Sequence, residues 1–392
     1  MKTIICLFTI AIAAMAAVTN LSNVLKNGND NFTARMFTEV VKNNPGKSIV
    51  LSAFSVLPPL AQLALASDGE THEELLKAIG FPDDDAIRTE FASKSRDLRS
   101  IKGVELKMAN KVYVHDGGKL DENFAVVSRD VFNSDVQNID FSKNTVAAKS
   151  INDWVEENTN NRIKDLVNPD SLSSATAAVL VNAIYFKGAW SSKFDERLTS
   201  DRDFYVSKDK TIKVPMMYKR GDYKYGESAV LNAQLIEIPY KGDQSSLIVV
   251  LPKDKDGITQ LQEALKDPKT LETAQQSMYS TEVDLYLPKF KIETETNLKD
   301  VLSNMNVNKI FNNDAQITRL LKGESLSVSE AIQKAFIEIN EEGAEAAAAN
   351  AFTMTRSSKV YVRPPIVFNA NKPFYYALQV DGVIMFNGIF IN

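Results

Sequence analysis

Asn340 to Val362 reads NEEGAEAAAANAFTMTRSSKVYV. The five residues before it, Ala335 to Ile339, alternate as a strand does, and Glu341-Glu342-Gly343 ends that strand in a turn. Ala346 to Ala349 favour helix by propensity, yet they offer almost no packing volume, and no bulky side chain follows until Phe352. Thr353 to Lys359 is mostly small and polar, Val360 to Val362 resume strand character, and Pro364-Pro365 stops it. This leaves roughly fifteen residues without an amphipathic stripe, late in a compact chain, and loops of that length are often functional. Two chemistries fit. Arg356 and Lys359 are basic residues among small ones, suited to the carboxylate in the primary pocket of a trypsin-like protease. The alanines suit a segment that slides between two strands. Extended, Ala344, Ala346, Ala348 and Asn350 share one face, and Glu345 shares the other with Ala347 and Ala349. Insertion of a loop as a release of stored free energy is a known switch. The plain alternative is a surface loop that is merely alanine-rich.

Working outward, Ala177 to Phe186 is almost continuously apolar, as a central strand buried on both faces should be. Leu235 to Tyr240 and Leu247 to Leu251 are strands joined by Lys241-Gly242-Asp243. Met108 to Val114 and the alternating Val283, Leu285 and Leu287 predict two more. Ser52 to Ala66 predicts a buried helix with a proline start, and Thr71 to Ile79 a second helix closed by Gly80. Val146, Ala147, Ile151, Trp154 and Val155 form the stripe of a helix lying across a sheet. No flexible connector or internal repeat interrupts the chain, which favours one α+β domain over two or three.

The chain has 392 residues, formal net charge −5 and one cysteine, Cys6. Lys2, the apolar run from Ile4 and Ala14-Met15-Ala16 describe a secretory signal over residues 1–16. Cleavage there leaves residues 17–392, a net charge of −6 and no thiol, which excludes disulfides, a thiol nucleophile and a cysteine-ligated zinc site. Asn20 and Asn31 each open a glycosylation acceptor pattern. His72 and His115 are the only histidines, and neither has a metal-ligand spacing or a nucleophile motif beside it. There is no G-x-S-x-G, Walker loop or G-x-G-x-x-G. A carboxylate pair for sugar hydrolysis stays open because nothing singles one out. Arg96, Arg99 and Lys102 are read as a solvated face, and no basic excess calls for nucleic acid.

Several stretches together resemble the serpin family of secreted serine protease inhibitors. The resemblance runs over essentially the whole mature chain and is greatest to insect haemolymph antitrypsins and related members. Its strongest element is the hinge: Glu341, Glu342, Gly343, Ala344, Glu345, Ala346, Ala347, Ala348 and Ala349. Phe368 to Phe374 (FNANKPF), Phe386-Asn387-Gly388, Leu287-Pro288-Lys289-Phe290 and Asn110-Lys111-Val112-Tyr113 agree with it, as do Asn182, Phe186, Lys187, Gly188 and Trp190. The resemblance implies an α+β fold of about three sheets and about eight or nine helices, with an exposed reactive-centre loop over approximately 343–362. It also implies a shutter and breach at Ser52, Ser55, Asn182, Trp190 and Gln333. The family's shutter usually has Asn where Ser48 stands and His where Gln333 stands; a Gln can replace some of the imidazole's hydrogen bonds.

By that resemblance the protein is not an enzyme. It is a secreted, monomeric suicide substrate whose partner is an extracellular trypsin-like serine protease, with no metal, cofactor, membrane or nucleic acid. Counting forward from Gly343 places the scissile bond near Ser357, and counting back from Phe368 places it close to Lys359. Lys359-Val360 is preferred because lysine fills a primary pocket and serine does not; Arg356-Ser357 is the alternative. Phe352, Met354 and Tyr361 leave chymotrypsin-like targets open. Non-inhibitory carriers and storage members of the family also stay open, although their bulky or charged hinges differ from Ala346 to Ala349.

Overall fold

A computed structural model describes residues 24–343 and 365–392, with the side chains of 99 and 100 excepted. The first segment begins with helix α1 (24–43) and strand β1 (Ile49–Leu51), followed by helices α2 (Ala53–Leu65), α3 (Gly69–Ile79) and α4 (Asp84–Ser100). Next come β2 (Val104–His115), α5 (Glu122–Phe132), β3 (Asp135–Ile139), α6 (Asn144–Asn158) and β4 (Ala178–Gly188). Strands β5 (Ser200–Tyr205), β6 (Thr211–Ser228), β7 (Ala233–Pro239) and β8 (Ser245–Pro252) precede α7 (Ile258–Ala264) and α8 (Pro268–Gln276). The segment ends with β9 (Tyr279–Pro288), β10 (Phe290–Asn297), α9 (Leu298–Asn304), β11 (Ile317–Leu321), β12 (Glu324–Leu326) and β13 (Glu330–Ile339). The second segment holds β14 (Ile366–Asn369), β15 (Phe374–Val380) and β16 (Val383–Phe390). Nine α-helices and three sheets are therefore present among the described residues.

The sheets have nine, five and two strands. The large one runs β1-β16-β15-β8-β7-β6-β9-β14 with β5 on β6, and the five-stranded one runs β10-β13-β4-β2-β3. β4 sits at the centre of the five-stranded sheet, and alternation sorts its side chains. Val179, Val181, Ala183 and Tyr185 face α6, while Leu180, Ile184 and Phe186 face the interior shared with the large sheet. Asn182 is the polar exception on that inner face and is fully buried.

Two expected details change. Pro58 and Pro59 lie inside α2 rather than at its start, which is capped by the Ser52 hydroxyl accepting from Ser55 N–H. Every residue of α2 is buried, so packing offsets the backbone hydrogen bonds that the prolines forgo. On α6, Val146 is 65% exposed, and the buried stripe is Ala147, Ala148, Ile151 and Val155. The histidines are held structurally: His72 Nδ1 lies 2.8 Å from Ala64 O, and His115 Nε2 lies 2.8 Å from Glu324.

Candidate functional site

β4 and β13 run parallel, whereas each pairs antiparallel with its other neighbour. Their ladder extends from Glu330↔Val179 to Phe336↔Tyr185 and stops there. β13 continues to Ile339 and β4 to Gly188, but among the described residues these ends pair only with β10 and β2. The seam is thus open over the last three residues of each strand.

A turn closes over this opening. Asn340 and Gly343 exchange backbone hydrogen bonds of 3.1 and 3.2 Å. Gly343 has φ +111°, and a Cβ there would come 2.2 Å from Gly188 O, so glycine is required on both counts. Gly343 also bridges to Ala189, Trp190 N–H donates to Glu342 O at 3.0 Å, and Trp190 Nε1 donates to Asn340 O at 2.8 Å. The Trp190 ring stacks on Tyr240 at 4.3 Å, and the Tyr240 hydroxyl is buried without a hydrogen-bond partner among the described residues.

Two carboxylates fix the turn. Glu342 pairs with Lys193. Glu341, 4% exposed, accepts from Lys289 Nζ at 2.8 Å and from Thr199 Oγ1 at 2.8 Å. Burial pushes the Glu341 carboxyl up, but Lys289, a backbone N–H and Thr199 together outweigh it and hold the group below its usual range. Such a group adds stability above its unfolded-state pKa, and that stability is lost as pH falls through the lower folded-state value. We expect the wild-type melting temperature to drop through that acid window, and the Glu341→Gln variant to show a smaller drop in the same titration.

Lower in the seam, Gln333 on β13 stands opposite Asn182 on β4, which stands opposite Asn110 on β2. Gln333 Nε2 donates to Asn182 Oδ1 at 2.6 Å, Ser52 O at 2.7 Å and Ser55 Oγ at 3.2 Å, while its Oε1 accepts from Ser52 N–H at 3.2 Å. Asn182 Nδ2 donates to Ser55 O at 2.7 Å and Asn110 Oδ1 at 2.6 Å, and Ser55 Oγ donates to Asn182 Oδ1 at 2.8 Å. Ser52, Ser55, Asn182 and Gln333 thus meet in one fully buried network. Ser48 is not in it; its hydroxyl binds the C-terminal backbone at Ile391 and Asn392. Asn110, Lys193, Thr199 and Lys289 received no role from the sequence alone. Asn110 could have been found from strand register, but the three partners of Glu341 and Glu342 come from distant elements and left no local signal. Ala344 to Ala349, Arg356, Ser357, Lys359, Val360 and Asn20 lie outside the described residues.

The family described as Serpin (serine protease inhibitor) matches residues 27–392. The chain belongs to the serpin family. Antichymotrypsin-2 of Bombyx mori is 95% identical over 374 residues, covering 95% of this chain and 100% of that one. Alaserpin of Manduca sexta is 57% identical over 390 residues, covering 99% of each. Among solved structures, Serpin48 of Tenebrio molitor superposes with TM-score 0.87 at 31% identity over 94% of this chain and 98% of its own. This serpin has the family's α+β fold, is a serine protease inhibitor rather than an enzyme, and has serine proteases as its targets. Among the described residues no metal-ligand cluster occurs, and no helix is long and apolar enough to cross a membrane.

Proposed function

We propose that this serpin traps trypsin-like serine endopeptidases as a suicide substrate. The target's serine attacks the Lys359 carbonyl, the Lys359-Val360 bond breaks, and an acyl-enzyme forms. The segment behind Gly343 then inserts between β13 and β4. The observation that carries this reading is the open, parallel end of that seam, lying directly beneath the Asn340–Gly343 turn. A strand returning from the turn runs antiparallel to both neighbours, so it meets unpaired backbone on each side. Insertion drags the acylated protease along and distorts its catalytic geometry before hydrolysis finishes. A misplacement of about 1 Å already costs ~10²-fold in rate.

Residues 1–16 act in this reading as a secretory signal, and 17–392 as one monomeric domain in extracellular fluid, as in insect haemolymph. Asn31 is exposed on α1, where its side-chain amide donates to Asn27 O at 2.8 Å, and it is the glycan acceptor within the described residues. A second reading follows from the relative named Antichymotrypsin-2: chymotrypsin-like targets, with Phe352, Met354 or Tyr361 in the primary pocket.

Incubation with trypsin and with chymotrypsin, followed by a denaturing gel and cleavage-site mass analysis, separates the two. The expected result is a stable trypsin complex cut after Lys359. Lys359→Ala should slow that complex by at least about a hundredfold, with Arg356→Ala near wild type; the reverse pattern moves the bond to Arg356-Ser357. A cut band with no complex overturns inhibition altogether.

A further inference from the structure

The chain leaves the described body at Gly343 and returns at residue 365. Gly343 lies against Ala189, and just beyond it Lys193 pairs with Glu342. Lys219 on β6 donates to Lys193 O at 2.7 Å. At the returning end, Val367 and Asn369 of β14 run beside Asp284 and Tyr286 of β9. These in turn stand opposite Arg220 and Tyr218 of β6. One strip of the nine-stranded sheet therefore lies between the point of departure and the point of return.

The strip is built rather than loose. Asp284, 8% exposed, accepts from Tyr218 Oη at 2.7 Å and from Arg220 Nε and an Nη, both at 2.8 Å. The Tyr218 and Tyr286 rings are 4.8 Å apart. Arg202 of β5 lays its guanidinium 4.5 Å over the Tyr286 ring and bonds Ser200 Oγ at 3.4 Å. Val367 is 54% exposed at the rim. Arginine and tyrosine held rigid by neighbours are the composition of interface hot spots. The charge has a sign and a boundary. On the face that carries these rings, Arg202 and Arg220 outweigh Asp284, and two residues further along the ladder Asp222 faces Glu282.

Chain length supplies the occupant. Six residues separate Lys359 from Ile366, and the seven steps between them span at most about 25 Å of extended chain. A globular protease domain of about 200–250 residues has a radius of gyration of about 17 Å. A protease engaged at Lys359, or three residues earlier at Arg356, is tethered close enough to lie over this strip.

We propose that Arg202, Tyr218, Arg220 and Tyr286 form a second contact for the target, fitted to a serine protease with an acidic surface beside its active-site cleft. The proposal rests on the inhibitor reading above. It is tested by measuring association rates of the full chain with anionic trypsin, cationic trypsin and chymotrypsin, with complexes scored on denaturing gels. The two trypsins share pocket chemistry and differ in surface charge.

Wild type should combine with anionic trypsin about tenfold faster than with cationic trypsin, more so at low salt. Arg202→Glu should lose about tenfold of the anionic rate and flatten its salt dependence, with stoichiometry unchanged. This variant keeps both partners of Asp284; if it fails to fold, Arg202→Gln takes its place. Tyr286→Ala should repeat the loss without a change of charge. Unchanged rates for these variants, with every protease that wild type captures, overturn the contact and leave the inhibitor reading intact. Capture of none of the three overturns both. A dimer of this chain that Arg202→Glu dissociates, with rates unaltered, assigns the face to self-association and also overturns the proposal.

Discussion

Ala344→Arg is expected to turn the inhibitor into a substrate. The target should still acylate at the loop, because Ala344 is remote in sequence from the scissile bond, but the acyl link should be hydrolysed instead of trapped. Ala344 directly follows Gly343, which already bridges to Ala189 at the mouth of the open seam. In the proposed insertion it is the first residue to enter between Ile339 of β13 and Gly188 of β4. The aromatic floor there is closed, with Trp190 and Tyr240 both fully buried and stacked. In the proposed insertion an arginine is carried over that buried aromatic floor, and burying its charge costs several kcal/mol. Insertion competes with deacylation, so about 3 kcal/mol added to the insertion barrier slows it ~10²-fold. The measurement is the stoichiometry of inhibition, expected to rise from about one inhibitor per protease to well above ten. An unchanged stoichiometry would falsify strand insertion as the trapping step.

The second large effect is expected from Asn182→Ala. Its amide links three strands and α2 by receiving from Gln333 and Ser55 and donating to Ser55 O and Asn110. Alanine leaves the buried Ser55 O and the part-buried Asn110 Oδ1 without these donors, and the loss at a buried acceptor costs about 1–3 kcal/mol. The network also holds the only side-chain hydrogen bond between register partners across the described β4–β13 ladder, Gln333 to Asn182. A loss of about 3 kcal/mol, with unfolding entropy of about 2.1 cal/mol/K per residue, lowers the melting temperature by about 4 °C. The sharper readout is hydrogen exchange. Amides of β4 and β13 should exchange faster in the variant while those of β15 and β16 do not. A uniform change across both sheets would assign Asn182 to general stability instead of to the seam.

Much of the fold was legible where one period dominates. β4 shows as an unbroken apolar run because both its faces are covered, and the β7–β8 hairpin shows through its Lys241-Gly242-Asp243 turn. The prolines of α2 misled because local chemistry places proline at helix starts, while complete burial kept the helix intact. Val146 misled because a one-residue shift of the α6 stripe is invisible without the sheet beneath it. The seam network was half legible. Ser52, Ser55, Asn182 and Gln333 came from resemblance, but Asn110 joined through strand register and Ser48 departed to the C-terminus. The partners of Glu341 and Glu342 were not legible at all, because Lys193, Thr199 and Lys289 reach them only after the chain has folded around Trp190.

The order of the large sheet bears on how the protein is made. Among the described residues β1 pairs only with β16, so Ile49 waits for Ile389, Val50 for Gly388 and Leu51 for Asn387. β15 and β16 also lie in the interior of that sheet, between β1 and β8. At about 5–20 residues per second, roughly 340 residues of further translation take about 20–70 s. Throughout that interval the apolar edge at Ile49–Leu51 has no strand to pair with, and the sheet cannot close around its last two members. The ribosome must therefore release the chain as far as Phe390 before the sheet is complete, and a truncation that removes β16 should leave an aggregation-prone product rather than a smaller folded one.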